Sequence, residues 1–216
     1  MKNNVKIAAM ILAASIMLPA AAFADTAATN SFTDIDGHWG KKYIEYLGKN
    51  GLANGKSDGR YEPDAQLTRA ELSAMIAASM KLDTSVTSAV YFSDVKKDDW
   101  YTGSVNASAS AGIVNGYEDG TFQPNRSVSR EELAAIVVRA LEASHIAVKP
   151  DEAGQAELMS DLKDAGKLSW SKESVAAMLN GNLMSTNDAG LFEPDSPTTR
   201  AQAAAVISRF YSLIVQ

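Results

Sequence analysis

Apolar residues recur at helical spacing in three stretches of the chain. Leu72, Met75, Ile76 and Met80 stand at i, i+3, i+4 and i+8; Leu133, Ile136, Val137 and Leu141 repeat the spacing, as do Ala203, Val206, Ile207 and Tyr211. Each set forms one apolar stripe along an amphipathic helix. Just ahead of the stripes stand Thr68, Ser129 and Thr199, followed three residues later by Glu71, Glu132 and Gln202. That pairing is a capping box, in which each side chain satisfies an amide left open by the first helical turn. It accounts for the recurring acid without a catalytic role. A shorter helix precedes each of these, from about Trp39 to Asn50 in the first instance. Gly51 and Gly112 then fall where a left-handed C-terminal cap belongs, and Asn182, the next most tolerant residue, takes the third such place.

A polar loop joins the two helices of each pair. Its turn is Asp58-Gly59, Asp119-Gly120 or Ala189-Gly190, and an aromatic (Tyr61, Phe122, Phe192) follows, expected to cover the inside of the loop. Then come Pro63, Pro124 and Pro194, which halt any early helix, and finally Arg69, Arg130 and Arg200. From Trp39, Trp100 and Trp170 onward, constant offsets of 61 and 70 residues relate the three copies. Upstream, Phe32-Thr33-Asp34 returns as Phe92-Ser93-Asp94 and, more faintly, as Met159-Ser160-Asp161. One helix pair cannot bury its stripe, but three packed about a common axis can. The pattern therefore predicts an all-α fold of three helix-loop-helix repeats over residues 32–82, 92–141 and 159–213. Residues 142–158, polar and carrying Lys149-Pro150, read as a linker.

The first 24 residues are different in kind. Lys2 and Lys6 precede or flank an apolar run from Ile7 to Met17 that holds one serine, and Ala22-Phe23-Ala24 has the A-x-A form of a cleavage site. This reads as a secretory signal peptide removed after Ala24. The run is shorter than the roughly 20 residues a membrane span needs, and nothing later approaches it, so no span is expected after cleavage. Cleavage takes away two lysines and no acids, so 20 basic and 26 acidic residues become 18 and 26, a net charge of −8. Such a chain is not expected to bind nucleic acid, and an anionic partner would have to be held locally against the bulk charge. The absence of cysteine excludes disulfide staples and thiol chemistry, and the hydrophobic content of 46% suffices for a core. His38 and His145 leave little for histidine chemistry.

Capping does not explain the arginine. It falls at the first helical position, where a cation opposes the helix dipole at a cost of about 0.3–1 kcal/mol. Two readings stand: an ion pair with an acid from the loop or a neighbouring repeat, with Asp34, Asp94 and Asp161 as candidates, or an anion held jointly by the arginine and free helix amides. The tryptophans are likewise either core anchors or platforms for a sugar ring. Residues 55–59, GKSDG, match G-x-S-x-G, but they lie in a loop with no strand signal and the equivalent GYEDG has no serine, so no hydrolase is expected. NGYEDG begins like a calcium loop, yet Tyr117 and Arg126 occupy ligand positions. No metal or cofactor is expected.

F-x-D, then W, G-x-x-x-G, D-G-x-[FY]-x-P and T-R-A-E together resemble the S-layer homology domain, well at 32–82 and 92–141 and in degenerate form at 159–213. The resemblance implies a pseudo-threefold trimer around a central helical bundle that attaches proteins to the bacterial cell surface. In Gram-positive bacteria it implies binding of a secondary cell-wall polymer, often with pyruvate ketals on N-acetylmannosamine, in grooves between adjacent repeats. Carried onto this chain, it points first to Arg69 and Arg130, then to Gly55 and Gly116, with Arg200, Trp39, Trp100, Asp34 and Asp94 as further candidates for glycan binding. The third copy has Thr186 where Gly55 and Gly116 stand, Gln202 for the acid, and a longer stretch before Trp170. Arg200 is therefore expected to matter less than Arg130, and the third copy to complete the core through Val206, Ile207 and Phe210. Alanine at Arg69 or Arg130 is expected to weaken wall binding at nearly unchanged stability. The repeats fill almost all of the mature chain, which reads as an anchor without cargo; the alternative is a surface-lattice subunit or adaptor acting through protein contacts.

Overall fold

The computed structural model describes residues 32–56, 58–85 and 91–215; the candidate signal peptide and Ser57 of the GKSDG stretch lie outside them. Among the described residues there are seven α-helices and no strand: α1 (Lys41–Lys49), α2 (Arg69–Ser79), α3 (Thr102–Ser110), α4 (Arg130–Ala143), α5 (Glu152–Asp161), α6 (Lys172–Asn180) and α7 (Arg200–Ile214). All three capping boxes form, each N-cap hydroxyl accepting from the third helical amide while the Glu71, Glu132 or Gln202 side chain accepts from the N-cap amide. Gly51, Gly112 and Asn182 have φ of +68°, +70° and +53°, which are left-handed caps. None of the described helices is long and apolar enough to cross a membrane.

Helix pairing follows a rule that the repeat boundaries conceal. α3 packs on α2, α6 on α4, and α1 on α7. The first helix of each repeat thus lies on the second helix of the repeat before it, and the ring closes between the end of the chain and its beginning. Helices α1, α3 and α6 are nine residues each, too short to persist alone in water, so each depends on a neighbouring repeat. The N-termini of α2, α4 and α7 meet at the pseudo-threefold axis. There Leu67 N–H donates to the Thr198 carbonyl, Thr198 N–H to that of Val128, and Val128 N–H to that of Leu67, at 2.9, 2.8 and 2.9 Å. This closed triangle of backbone bonds satisfies buried amides that no helix or sheet could serve. Around it the stripes form the core: Leu72, Ile76, Leu133, Val137, Ala203, Ile207 and Phe210 are buried. Met80 and Tyr211, at the ends of their stripes, are only partly covered.

The third repeat begins later than its sequence suggested. Asp34 accepts the amides of Tyr61 and Glu62 at 2.8 and 2.7 Å, and Asp94 those of Phe122 and Gln123 at 2.7 and 2.8 Å. Their counterpart is Asp164, which accepts from Phe192 and Glu193 at 2.8 and 2.7 Å. Asp161 is exposed at the end of α5. The stretch from Asp164 to Trp170 is as long as that from Asp94 to Trp100, so no insertion precedes Trp170. The clamp holds Glu62, Gln123 and Glu193 at φ of +59°, +56° and +59°, a region unfavourable to non-glycine residues. Asp164→Ala is expected to lower stability by about 1.5–3 kcal/mol, the usual contribution of hydrogen bonds to a charged group. Asp161→Ala should stay within about 0.5 kcal/mol; urea denaturation of both distinguishes them. The stretch read as a linker, 142–158, holds the greater part of α5, which Asp151 caps, which runs on to Asp161 and which packs on α6 with Met159 buried.

Candidate functional site

Each N1 arginine reaches into the next repeat. Arg69 Nε and Nη2 donate to the carbonyls of Phe122 and Asn115, both at 2.8 Å. Arg130 makes the same pair of bonds to Phe192 and Ser185 at 2.6 and 2.9 Å. Arg200 makes them to Tyr61 and Asn54 at 2.7 and 3.1 Å, and adds a bond from Nη1 to Glu71 at 2.6 Å. The guanidiniums also stack on the aromatic of that next loop, Arg69 over Phe122, Arg130 over Phe192 and Arg200 over Tyr61, at 4.5, 4.7 and 4.4 Å from the ring centroids. All three aromatics are fully buried, and burial pushes the Tyr61 hydroxyl up to about 12. Burial likewise pushes the Arg69 and Arg130 guanidiniums below their usual value.

Arg200 makes the expected ion pair with an acid of a neighbouring repeat, Glu71, though none of the three named candidates is the partner; Arg69 and Arg130 bond chiefly to carbonyls. The carboxylates of Asp34, Asp94 and Asp164 are engaged by loop amides, and the arginines bond to carbonyls. The helix amides are not free: Arg69 N–H donates to Arg126 O and Ala70 N–H to Pro124 O, with the same arrangement at Arg130 and Glu131 and at Arg200 and Ala201. The third amide goes to the capping hydroxyl. The arginine tolerates the helix dipole because it joins repeats.

Grooves run beside these junctions. One has a volume of about 730 Å3 and is lined by residues 51–56 and Tyr61 of the first loop, by Glu71, Ala74, Met75 and Ala78 of α2, by Trp100 and by Arg200. Its charges form one cluster, with Glu71 between Arg200 and Lys56, whose ammonium lies 3.1 Å away. Burial alone would raise the Glu71 carboxyl, but the Thr68 amide and the positive charges of Arg200 and Lys56 outweigh it and hold it below its ordinary value. Lys56 also lies 4.0 Å from Glu62, which Arg60 pairs in turn, so Arg200 and Lys56 are the two cations that flank Glu71 within a network of mixed charge. The groove of the next junction is lined by the residues in register with these: Arg69, Asn115, Gly116, Tyr117, Glu132, Ala135, Ile136, Arg139 and Trp170, and its volume is about 220 Å3.

The sequence candidates therefore divide. Arg200, Gly55 and Trp100 share the large groove, and Arg69 and Gly116 the small one. Arg130 lies at the third junction, facing Ser185 rather than an intact first-type loop. Trp39, Trp100 and Trp170 are 57%, 68% and 56% exposed, so none anchors the core. Asp34 and Asp94 are clamps behind the loops and line neither groove. Gly55 and Gly116 are not at positive φ; a Cβ there would come within 2.5 Å of Phe32 and 2.4 Å of Phe92. The carbonyls of Arg60 and Thr121 come within 2.6 Å of the same Cβ positions; in the third repeat Leu162 stands in the place of those rings and Thr186 in the place of the glycine. Lys56, Asn54 and Trp170 were missed, and Glu71 was read only as a cap. The offsets of 61 and 70 relate Asn54 to Asn115 and Trp100 to Trp170, but neither offset says which repeat's arginine faces them.

A family model described as the S-layer homology domain matches residues 31–73, 91–134 and 161–204. An amylopullulanase of Thermoanaerobacterium thermosulfurigenes is 36% identical over 178 residues, 82% of this chain and 9% of that protein. An S-layer protein of Bacillus thuringiensis subsp. finitimus is 31% identical over 184 residues, 85% of this chain and 21% of that protein. Exoglucanase XynX of Acetivibrio thermocellus is 34% identical over 178 residues, 82% of this chain and 16% of its own length. The chain thus spans no more than about a fifth of these relatives.

Proposed function

The chain belongs to the S-layer homology family, and on that premise we propose that it is a non-covalent cell-surface anchor that binds an anionic, pyruvylated cell-wall polysaccharide in the groove between its third and first repeats. A region common to proteins named for glycan-degrading enzymes and for a surface layer, and forming a small fraction of each, has a task that all of them share, and surface attachment is such a task. The observation that carries the glycan reading is the groove itself. Its volume of about 730 Å3 lies within the 300–1,000 Å3 range of ordinary ligand sites. It combines an exposed indole at Trp100 with aliphatic walls and the Arg200–Glu71–Lys56 cluster, which suits a sugar ring bearing a carboxylate. A pyruvate ketal is such a carboxylate.

Sedimentation with purified bacterial wall, before and after chemical removal of its secondary polymer, tests this. Binding is expected to disappear with the polymer. Binding retained on stripped wall points instead to peptidoglycan or protein contacts.

A further inference from the structure

The three junctions share one register, and among the positions at which they differ one bears most on the space left for a ligand. Ala78 of α2 lines the large groove. The residue 61 positions on is Arg139, and 70 beyond that is Arg209. Arg139 Nη1 donates to the carbonyl of Ile113 at 2.8 Å, and Arg209 Nη1 to that of Leu183 at 3.2 Å. Ile113 and Leu183 are the counterparts of Leu52, which the small Ala78 leaves as open groove lining. Arg209 is also held by Tyr43, with Nη2 3.3 Å from the hydroxyl and the guanidinium 5.3 Å from the ring centroid. The second groove, with Arg139 in place, measures about 220 Å3, against about 730 Å3 for the first, where alanine stands; at the third junction the Arg209 guanidinium occupies the same place against the Leu183 carbonyl.

We infer that Arg139 and Arg209 are internal plugs that close the second and third grooves to sugar, so that the chain has one working glycan site and Ala78 is the residue that keeps it open. This rests on the glycan reading above. Charge and space pull in opposite directions here. The plugged junctions hold two arginines each, Arg69 with Arg139 and Arg130 with Arg209, so charge alone would favour them for an anion. A volume of about 220 Å3, below the usual lower bound of roughly 300 Å3 for a ligand site, excludes a substituted hexosamine whatever the charge. Tyr117 narrows the second groove further where Lys56 stands in the first. Arg126 bonds to Tyr117 at 2.8 Å and pairs with Glu132, which makes that wall rigid.

Isothermal calorimetry with the methyl glycoside of pyruvylated N-acetylmannosamine tests the proposal, with thermal melts as a folding control. The intact protein is expected to bind one equivalent. Ala78→Arg should weaken binding about tenfold or more by steric exclusion, and Arg139→Ala should raise the stoichiometry from one to two. Intact protein binding two or three equivalents, Ala78→Arg binding like the unaltered chain, or Arg139→Ala remaining at one equivalent each overturns the plug. Should Ala78→Arg fail to fold, Arg139→Ala carries the decision. Absence of any binding by the intact protein is a separate result: it removes the glycan reading and this inference with it.

Discussion

Residues 25–90, a complete sequence repeat with its flanks, are expected to remain largely unfolded under conditions in which the whole chain is helical. The reason is the displaced pairing. In such a fragment α1 has lost α7 and α2 has lost α3, so the two helices retain few of the partners that bury them. Leu67 loses both backbone bonds of the axial triangle, to Thr198 and from Val128, and the Tyr61 loop loses the Arg200 guanidinium that stacks on it. Helices of nine and eleven residues do not persist without tertiary support, and repeat architectures generally need about three units to close a core. Far-UV circular dichroism decides. A fragment that melts cooperatively from a helical state would show that each repeat folds by itself and that the exchange of helices is incidental.

Arg200→Ala is expected to be the most damaging of the three arginine changes. It removes bonds to two carbonyls and to Glu71, which keeps Lys56 and the Thr68 amide. Loss of hydrogen bonds to a charged group costs about 1.5–3 kcal/mol, which for a domain of this size lowers the melting temperature by roughly 2–4 °C per kcal/mol. Arg130→Ala loses two carbonyl bonds and no carboxylate partner, and should cost less. The order expected from the degeneracy of the third repeat concerned wall affinity, and unchanged stability was expected of Arg69 and Arg130; the inter-repeat bonds of all three arginines make each a stability change as well. The arginine of one repeat serves the loop of the next. Divergence in the third loop therefore weakens the junction of Arg130, whereas Arg200 works with the intact first loop. If thermal melts place Arg200→Ala within about 1 °C of the unaltered chain, the arginines are not the fasteners of the ring.

Local features were legible in the sequence because their causes are local. The capping boxes, the left-handed caps at Gly51, Gly112 and Asn182, the turns and the apolar stripes each depend on a few neighbouring residues, and each is present. Assignments between repeats were not legible, because a repeat sequence is the same whether its helices pair within a copy or across copies. Arg69 and Phe122 are 53 residues apart, and nothing in either local pattern says they touch. The start of the third repeat was missed for another reason: Phe32 and Phe92 become Leu162 there, and the aromatic signal vanishes. The offset of 70 applied to Asp94 would have reached Asp164, whose side chain keeps the function although its neighbours changed. At Gly55 and Gly116 the close approach of a phenylalanine ring and of a backbone carbonyl, Arg60 or Thr121, excludes a side chain, and neither neighbour is marked by the local sequence. Solvent exposure of the three tryptophans was beyond spacing arguments altogether, since a helix start marks no face.

The most direct test locates the ligand. Amide-resolved nuclear magnetic resonance of the intact protein, titrated with the methyl glycoside of pyruvylated N-acetylmannosamine, reports each junction separately. The backbone amides of Asn54, Gly55 and Lys56 and the indole N–H of Trp100 are expected to shift together, while those of Asn115 to Tyr117 and of Ser185 to Asn187 stay in place. Shifts centred on Ser185 to Asn187, or no saturable shift at any of the three loops, would contradict a glycan site between the third and first repeats.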